Sequence, residues 1–109
     1  MNQVHLVGRL TKAPEVEKVG NGVSRLYITL AVDGYYDRER GEMTTDFIPV
    51  TVWGKLAERM GKAVKGSLLW VTGRVSVSSY EKNGRRQWKT EIVAEDFGFL
   101  AKPKGANGQ

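Results

Sequence analysis

The strongest constraint on the fold lies between residues 45 and 75, where a strand pattern, a short helical pattern and a second strand pattern follow one another. In the first strand, period-2 alternation separates an all-aliphatic face, which we expect to point into the core, from a mixed face. The aliphatic face consists of Ile48, Val50 and Val52. The mixed face consists of Phe47, Pro49, Thr51 and Trp53. Two aromatic rings therefore point outward, where they need a planar partner.

The second strand of this stretch shows the same division. Its aliphatic face contains Leu69, Val71 and Val75, and its other face contains Trp70, Thr72 and Arg74. Trp53 is also followed closely by a cation, Lys55. Rings and cations on one side of a sheet are typical of surfaces on which bases stack while phosphates meet positive charges. Packing of the rings beneath a loop is the alternative.

The helical pattern between these strands is short. Its apolar residues recur at helical spacing: Leu56, Met60, Ala63 and Val64. We expect the helix to end at Gly66, because glycine tolerates the left-handed conformation beyond a last turn. Further strand patterns cover 4–12, 23–32, 68–80 and 86–100, and the second of them has an inward row of Leu26, Ile28, Leu30 and Val32. These elements predict an all-β fold, a five-stranded oligonucleotide-binding (OB) barrel with one α-helix between strands 3 and 4.

The 109 residues include no cysteine and have a formal net charge of +5. This length fits one domain, 1–100, followed by a short tail, 101–109, which lacks apolar periodicity and is expected to be disordered. Without cysteine there is no disulfide framework, thiolate nucleophile or zinc knuckle. The positive charge favours a polyanionic partner. No apolar run approaches the ~20 residues of a membrane helix, and no signal-type segment opens the chain, so we expect a cytoplasmic protein.

Residues 33–45 form a polar connection that is too long for a tight hairpin. Tyr35 and Tyr36 stand beside Arg38 and Arg40 in it, so this loop is suited to fold over a ligand. Its carboxylates alternate with arginines, lack a histidine partner and match no ligand spacing such as that of a calcium loop. We therefore expect no metal site and no cofactor.

The last two strands are joined by Asn83-Gly84, the strongest short signal for a two-residue hairpin turn. Such a turn crowds three cations at one tip through two cross-strand pairs: Lys82 with Arg85, and Glu81 with Arg86. Tyr80 and Trp88 flank the tip, and strict register puts them on opposite faces. Alternation leaves open which of these two rings meets a ligand, and a solvated basic hairpin is the alternative interpretation.

Six segments resemble, in the same order and spacing, those of the bacterial-type single-stranded DNA-binding protein family: NQVHLVGRL, ITLAV, GEM, VWGKLAE, KGSLLWVTGRV and TEIVAEDF. The resemblance spans about residues 2 to 100. It implies a non-enzymatic protein that coats single-stranded DNA with little sequence preference during replication, recombination or repair. It also implies association with the nucleoid.

In that family, rings in the loop after strand two, at both ends of strand three and in the last hairpin stack on bases. Position by position, the resemblance gives this role to Tyr36, Phe47, Trp53 and Tyr80. It gives a supporting basic role to Lys55, Lys65, Arg38 and Arg40. Serines stand where cations often precede the hairpin aromatic, and we expect their role to pass to Lys82, Arg85 and Arg86. Arg74 and Trp88 complete the predicted DNA-binding set.

The resemblance also implies assembly through the first strand, usually into a homotetramer formed as a dimer of dimers. The residues predicted at these interfaces are Val4, His5, Leu6, Val7 and Trp70. His5 is the only histidine, and we interpret it as an ordinary interface residue rather than a pH switch. Gly8, in the middle of the same strand, is expected to permit a bulge or a sharp bend.

Members of the family commonly have a long flexible tail with an acidic, hydrophobic tip that recruits other proteins. Here the last residues are neutral apart from Lys102 and Lys104. We therefore expect little recruitment of proteins through the tail of this chain.

Two other classes of function remain open. An interaction module of the same ancestry, such as a primosome component, would use its rings to line a protein interface. The joint presence of Tyr36, Phe47, Trp53 and Tyr80 favours single-stranded DNA instead. A nuclease or hydrolase would need a nucleophile, a base or a metal cage, and the sequence offers no credible one.

Overall fold

The computed structural model describes residues 1–103. Its elements are β1 (Val4–Leu10), β2 (Glu17–Val19), β3 (Val23–Asp37), β4 (Glu42–Trp53), α1 (Gly54–Met60), β5 (Leu68–Lys82) and β6 (Arg85–Ala101). Neighbouring strands follow the order β1-β5-β6-β4-β3-β2, and an additional β1–β3 pairing closes a five-stranded barrel. The predicted all-β OB barrel with one helix is confirmed. The helix lies between β4 and β5 in this count because the short β2, which the sequence pattern did not predict, precedes β3.

The core lies on the inward rows of the alternating strands. The predicted rows of β3 and β4 are largely confirmed, since Leu26, Leu30, Val50 and Val52 are fully buried. Val32 and Ile48, nearer the ends of these rows, are partly buried against the same cluster. Two residues of α1, Ala57 and Met60, close one side of this core, and Phe97 of β6 joins it. Burying one aliphatic side chain of this size stabilises the fold by about 1.5–3 kcal/mol.

The helix is shorter than predicted. α1 ends at Met60, and the Ala63 N–H donates to the Met60 carbonyl at 3.0 Å, three residues back, so the chain tightens into turns instead of continuing the helix. The predicted end at Gly66 is therefore wrong. Gly66 does adopt a left-handed φ of 89°, but in the turn before β5, where its N–H donates to the Leu10 carbonyl at 2.8 Å.

The polar connection 33–45 is also shorter than predicted. β3 continues to Asp37 and β4 begins at Glu42, so only residues 38–41 turn between the two strands. The prediction of a long loop was wrong because β3 and β4 continue to pair beyond the barrel, where there is no core to impose an apolar alternation on the sequence.

The predicted hairpin between β5 and β6 is confirmed, including its register: Lys82 pairs with Arg85, and Glu81 pairs with Arg86. Asn83 and Gly84 have φ values of 54° and 75°. Positive φ at both central residues is the requirement of a type I′ turn, whose twist matches that of the flanking strands.

Gly8 serves a close approach rather than a bulge. At this point β1 leaves β5 and begins to pair with β3. A Cβ at Gly8 would lie 2.7 Å from the Ala31 carbonyl oxygen and 2.9 Å from Val32 Cγ2. Only glycine lets the two backbones meet where the barrel closes.

The tail prediction concerns residues that fall largely outside the described part of the chain. Ala101 is the last residue of β6, and residues 104–109 are not described. The expectation about protein recruitment, which depends on the same segment, stays a prediction. Within residues 1–103, no helix is long and apolar enough to cross a membrane.

Candidate nucleic-acid interface

The outer face of β3 and β4 presents aromatic rings, as the alternation of β4 predicts. Phe47 is 64% exposed and pairs across the strands with Ala31, whereas Trp53 is 43% exposed and pairs with Arg25. Tyr27, between them on β3, is also exposed. We call the outer surface of these two strands the aromatic face; its rings are Tyr27, Tyr36, Phe47 and Trp53.

Tyr36 belongs to this face because of a bulge in β3. The register shifts at Gly34 and Tyr35, after which Tyr36 pairs with Met43, an outward position of β4. Thr44 bridges the bulge, since its Oγ1 accepts from the Tyr35 N–H at 2.9 Å and donates to the Tyr35 carbonyl at 3.0 Å. A Cβ at Gly34 would collide with the same Oγ1, so glycine is required here. Without the bulge, parity would turn Tyr36 away from Phe47.

Thr51 also has the outward parity of β4, yet it is buried. It lies between Tyr27 of β3 on one side and Val93 of β6 on the other, because β4 and β6 pair here in parallel. Strands on both sides shield its short side chain from water. Thr51 therefore lies at the centre of the outer surface, although its side chain is not exposed.

The β5–β6 hairpin extends the aromatic face on one of its two sides. Val93 pairs with Arg74, and from this pair the alternation leads to Tyr80, which is exposed on the same side of the hairpin. Lys89 lies on this side too, and its Nζ is 5.3 Å from the centroid of the Tyr27 ring. The structure therefore brings Arg74 and Tyr80 to the side of the aromatic face.

Trp88 lies on the other side of the hairpin, as the register predicted. It pairs with Ser79 and shares its side with Val77, and the two apolar side chains are 68% and 58% exposed. Arg86 is on this side as well, where its Nη1 donates to Ser79 Oγ at 2.8 Å. Of the two hairpin rings, Trp88 is the one that the structure separates from the aromatic face.

Apart from Arg74 and Arg86, the predicted cations lie in three places. Lys82 and Arg85 form the tip of the β5–β6 hairpin on the Tyr80 side. Arg38 and Arg40 lie in the turn between β3 and β4, and Arg40 Nε is 3.9 Å from Glu42 Oε1. The remaining two are exposed at either end of the helical segment: Lys55 in α1, two residues after Trp53, and Lys65 in the turn before β5.

Three residues of the outer surface were missed from the sequence: Arg25, Tyr27 and Lys89. The guanidinium carbon of Arg25 lies 4.8 Å from the centroid of the Tyr27 ring and 5.7 Å from that of the Trp53 ring. Cations at this distance from a ring are attracted to its π-face. Alternation could have found the two β3 residues, because they are offset by one from the predicted inward row of that strand.

A groove of about 850 Å³ runs over the centre of this surface. Its floor includes Tyr27, Thr29 and Thr51. The segment 11–15 forms one wall, and Lys89 and neighbouring residues of β6 form the other. The groove therefore places an exposed ring between two walls that each include charged side chains.

A second outer surface lies on β1, β5 and β6. Here His5 and Val7 are exposed, whereas the other predicted interface residues of β1, Val4 and Leu6, point inward and are half-buried. Trp70 pairs with Val7 on one side and with Gly98 on the other, and a Cβ at Gly98 would collide with the indole. Val7 and Trp70 thus form one apolar surface away from the aromatic face.

A polar cluster anchors α1 beside the aromatic face. The buried Ser24 donates to Glu58 Oε2 at 2.8 Å, and Lys18 Nζ lies 2.8 Å from Ser24 Oγ and 3.5 Å from Glu58 Oε2. The hydrogen bond from Ser24 and the charge of Lys18 lower the pKa of the Glu58 carboxyl below its usual value. Because Trp53 immediately precedes α1, this anchor also holds the Trp53 end of β4.

The described residues contain no group of three or more His, Cys, Asp or Glu side chains that could hold a metal ion. The chemistry of this surface is therefore one of rings, cations and a few carboxylates. Such a surface suits an anionic polymer that carries planar groups, because the rings stack on those groups and the cations attract its charges.

Comparison with known proteins agrees with this geometry. The chain matches the model of the single-strand binding protein family over residues 1–100. It is 48% identical over 103 residues to single-stranded DNA-binding protein 3 of Clostridium acetobutylicum, covering 92% of this chain and 71% of that protein. It is also 48% identical over 111 residues to single-stranded DNA-binding protein 3 of Listeria innocua, covering 99% of this chain and 69% of that protein.

Among solved structures, the wild-type single-stranded DNA binding protein from Thermus aquaticus superimposes with a TM-score of 0.81 at 29% identity. The match covers 99% of this chain and 52% of that chain, so this chain spans about half the length of that protein. Sequence and structure thus point to the same relatives, and the chain belongs to the single-strand binding protein family.

Proposed function

We propose that this chain coats single-stranded DNA with little sequence preference, and that it acts by binding alone, on the nucleoid. Its family is one of DNA-binding proteins rather than enzymes. The observation that supports the proposal best is the aromatic face, on which Phe47 and Trp53 remain exposed and Arg25 lies over the ring of Trp53. Each base stacked on such a ring contributes about 1–3 kcal/mol to binding.

The low sequence preference follows from the kind of contact. Every base has a π-face, so stacking on rings accepts any sequence, whereas hydrogen bonds to base edges would discriminate. Duplex DNA hides these faces within its stack. We therefore expect the aromatic face to prefer single strands and to hold them extended, which protects them during replication, recombination or repair.

A single strand of DNA that follows this surface would begin at Tyr36, cross Phe47 and Trp53, and extend along the Tyr80 side of the hairpin. Phosphates along this path would meet the cations on the same side: Arg74, Lys82, Arg85, and Arg38 and Arg40 at the opposite end. Lys55 follows Trp53 closely enough to contribute there. Lys65, Arg86 and Trp88 lie off this path and would contribute only if the strand wraps further around the barrel.

We further propose that copies of this chain assemble through the Val7–Trp70 surface and the adjoining edge of β1, as a tetramer formed from two dimers. Residues 4–8 of β1 pair with β5 along one edge, and β3 pairs with the opposite edge only at Arg9 and Leu10. An unpaired strand edge is a ready template for another chain. His5 and Val7 stand beside that edge on the outer surface.

The test is a titration of intrinsic tryptophan fluorescence with oligo-dT at two salt concentrations, with the mass measured in parallel by sedimentation. We expect quenching that saturates at a defined number of nucleotides per chain and binding that weakens with salt by about 0.7 log units per decade for each phosphate neutralised. A duplex of the same length serves as the control. Equal affinity for duplex and single strand would reject stacking and leave only a basic surface.

A further inference from the structure

Two carboxylates on the strands that flank the aromatic face hold cations that lie over the Tyr27 ring. Glu17 Oε1 accepts a hydrogen bond from Arg25 Nε at 2.8 Å and also lies 2.8 Å from Arg25 Nη2. On the other side of the groove, Glu91 Oε2 lies 3.4 Å from Lys89 Nζ. Each pair is electrically neutral, although its cation lies where a nucleic-acid phosphate would be attracted.

Both cations lie close to one ring. The Arg25 guanidinium carbon and Lys89 Nζ are 4.8 and 5.3 Å from the centroid of Tyr27. Tyr27 is itself about half exposed and lies on the floor of the groove, and Glu17 and Glu91 line the same groove. A base that stacks on Tyr27 would therefore bring its phosphates to cations that already have carboxylate partners.

We propose that Glu17 and Glu91 act as internal stand-ins for phosphate, which single-stranded DNA displaces from Arg25 and Lys89 when a base stacks on Tyr27. This inference rests on the proposed function. Glu17 meets the Arg25 guanidinium through one oxygen, Oε1, and a phosphate oxygen can take that place, so the exchange keeps the hydrogen bond of Arg25 Nε. It also makes Tyr27 a base-stacking residue in addition to those predicted from the sequence.

The exchange is feasible because both ion pairs are partly open to water. The side chains of Arg25 and Glu17 are 27% and 48% exposed, and those of Lys89 and Glu91 are 49% and 18% exposed. Exposed pairs of this kind contribute little to stability, so a polyanion competes with them easily. The carboxylates would lower the affinity for any isolated anion, while a strand that also stacks still binds.

The experiment measures oligo-dT affinity for Glu17→Gln and Glu91→Gln. Glutamine keeps the size of the side chain and removes its charge, so the cation becomes free for a phosphate. We expect each variant to bind about two- to fivefold more tightly than the unaltered chain, the range that matches an exposed ion pair. The salt dependence should steepen by up to about 0.7 log units per decade for each cation released.

A matched variant separates this effect from a general change in net charge. Glu95→Gln removes the same charge from an exposed position of β6 at the bulge opposite Thr72 and Gly73, away from the Tyr27 groove. We expect it to change the affinity much less than Glu17→Gln does. Equal gains for the two variants would reject the inference.

The decisive comparison repeats Glu17→Gln in an Arg25→Gln background. Without the guanidinium, the Glu17 carboxylate no longer competes with phosphate for a cation, so Glu17→Gln should no longer tighten oligo-dT binding. An undiminished gain in that background would overturn the proposal. If the unaltered chain does not bind oligo-dT at all, the proposed function fails; if it binds and Glu17→Gln changes nothing, only the phosphate stand-in fails.

Discussion

Trp53 and Trp70 both point outward from the same barrel, and their surroundings differ. Trp53 ends β4 on the aromatic face, 43% exposed, with the Arg25 guanidinium 5.7 Å from its ring centroid. Trp70 is half-buried over Gly98 and lies beside Val7. Among residues 1–103, cations lie over the rings of Tyr27, Trp53 and Phe97 but not over that of Trp70.

Outward parity therefore identifies a surface ring but not its partner. A ring with free faces and neighbouring cations suits a base, because stacking and charge act together there. A half-buried ring that lies against a glycine beside an aliphatic side chain suits another apolar surface, since tryptophan is enriched at the centres of protein interfaces. Separate substitutions can show whether Trp53 serves DNA binding and Trp70 serves assembly.

The largest expected effect is that of removing both exposed rings of β4. The double variant Phe47→Ala and Trp53→Ala should bind oligo-dT more weakly by about 2–6 kcal/mol, because each stacked base contributes about 1–3 kcal/mol. The measurement is a fluorescence anisotropy titration with labelled oligo-dT. Thermal unfolding serves as the control, and it should change little because both side chains are exposed.

A second variant checks the face assignment itself. Phe47→Tyr and Trp53→Tyr keep a ring at each position, so they should retain most of the affinity. If the double alanine variant unfolds while the tyrosine variant binds normally, the rings belong to the core and the comparison with Trp70 loses its basis.

The next largest effect should appear at Trp70, and in assembly rather than in DNA binding. Trp70→Ala should weaken self-association by about 2–4 kcal/mol, the usual cost of truncating an anchoring tryptophan at the centre of an interface. Sedimentation over a range of concentrations measures it. An oligo-dT short enough to occupy one barrel should bind with unchanged affinity; a loss there comparable to that of Trp53→Ala would erase the distinction between the two tryptophans.

Most of the barrel and part of the candidate site follow from alternation. Phe47, Trp53 and the inward rows could be predicted because buried β-strands impose a period of two on the sequence. Tyr36 could not be placed by parity, since the bulge at Gly34 and Tyr35 depends on a hydrogen-bonded Thr44 that lies nine residues after Tyr35. The stacking role of Tyr36 was predicted from the family resemblance alone.

Two other parts of the molecule escaped prediction for different physical reasons. The extension of β3 and β4 has no core beneath it, so polar residues such as Asp37 and Glu42 occupy regular strand positions. The charged residues around Tyr27 come from three strands: Glu17 from β2, Arg25 from β3 and Lys89 from β6. Lys89 is far from the other two in sequence. Proximity of that kind follows only from the closed barrel.

A smaller effect should follow from disturbing the bulge that places Tyr36. In Gly34→Ala, the added Cβ would collide with Thr44 Oγ1, and we expect unfolding to become easier by about 1–3 kcal/mol through local overpacking. Oligo-dT binding should weaken because Tyr36 turns away from Phe47, whereas Trp70-dependent assembly should persist. Gly20→Ala is the destabilised control: its left-handed φ of 53° strains the added Cβ, although nothing lies within 4 Å of it, so unfolding should become easier while oligo-dT binding persists.

The smallest effect should be that of Glu58→Gln, which loosens the anchor of α1 behind Trp53. The lowered pKa of Glu58 means that the folded state favours the ionised carboxylate. Its stabilisation is therefore fully present above the pKa of the unfolded chain and is lost as the pH falls through the lower folded value. We expect the melting temperature of Glu58→Gln to lie slightly below that of the unaltered chain at about pH 7. In acid, below both pKa values, the two melting temperatures should be the same. Oligo-dT affinity should fall slightly, because the anchor holds the Trp53 end of β4. Self-association should stay unchanged, because Trp70 does not adjoin α1. A melting difference that persists at low pH would show that Glu58 acts through packing rather than charge.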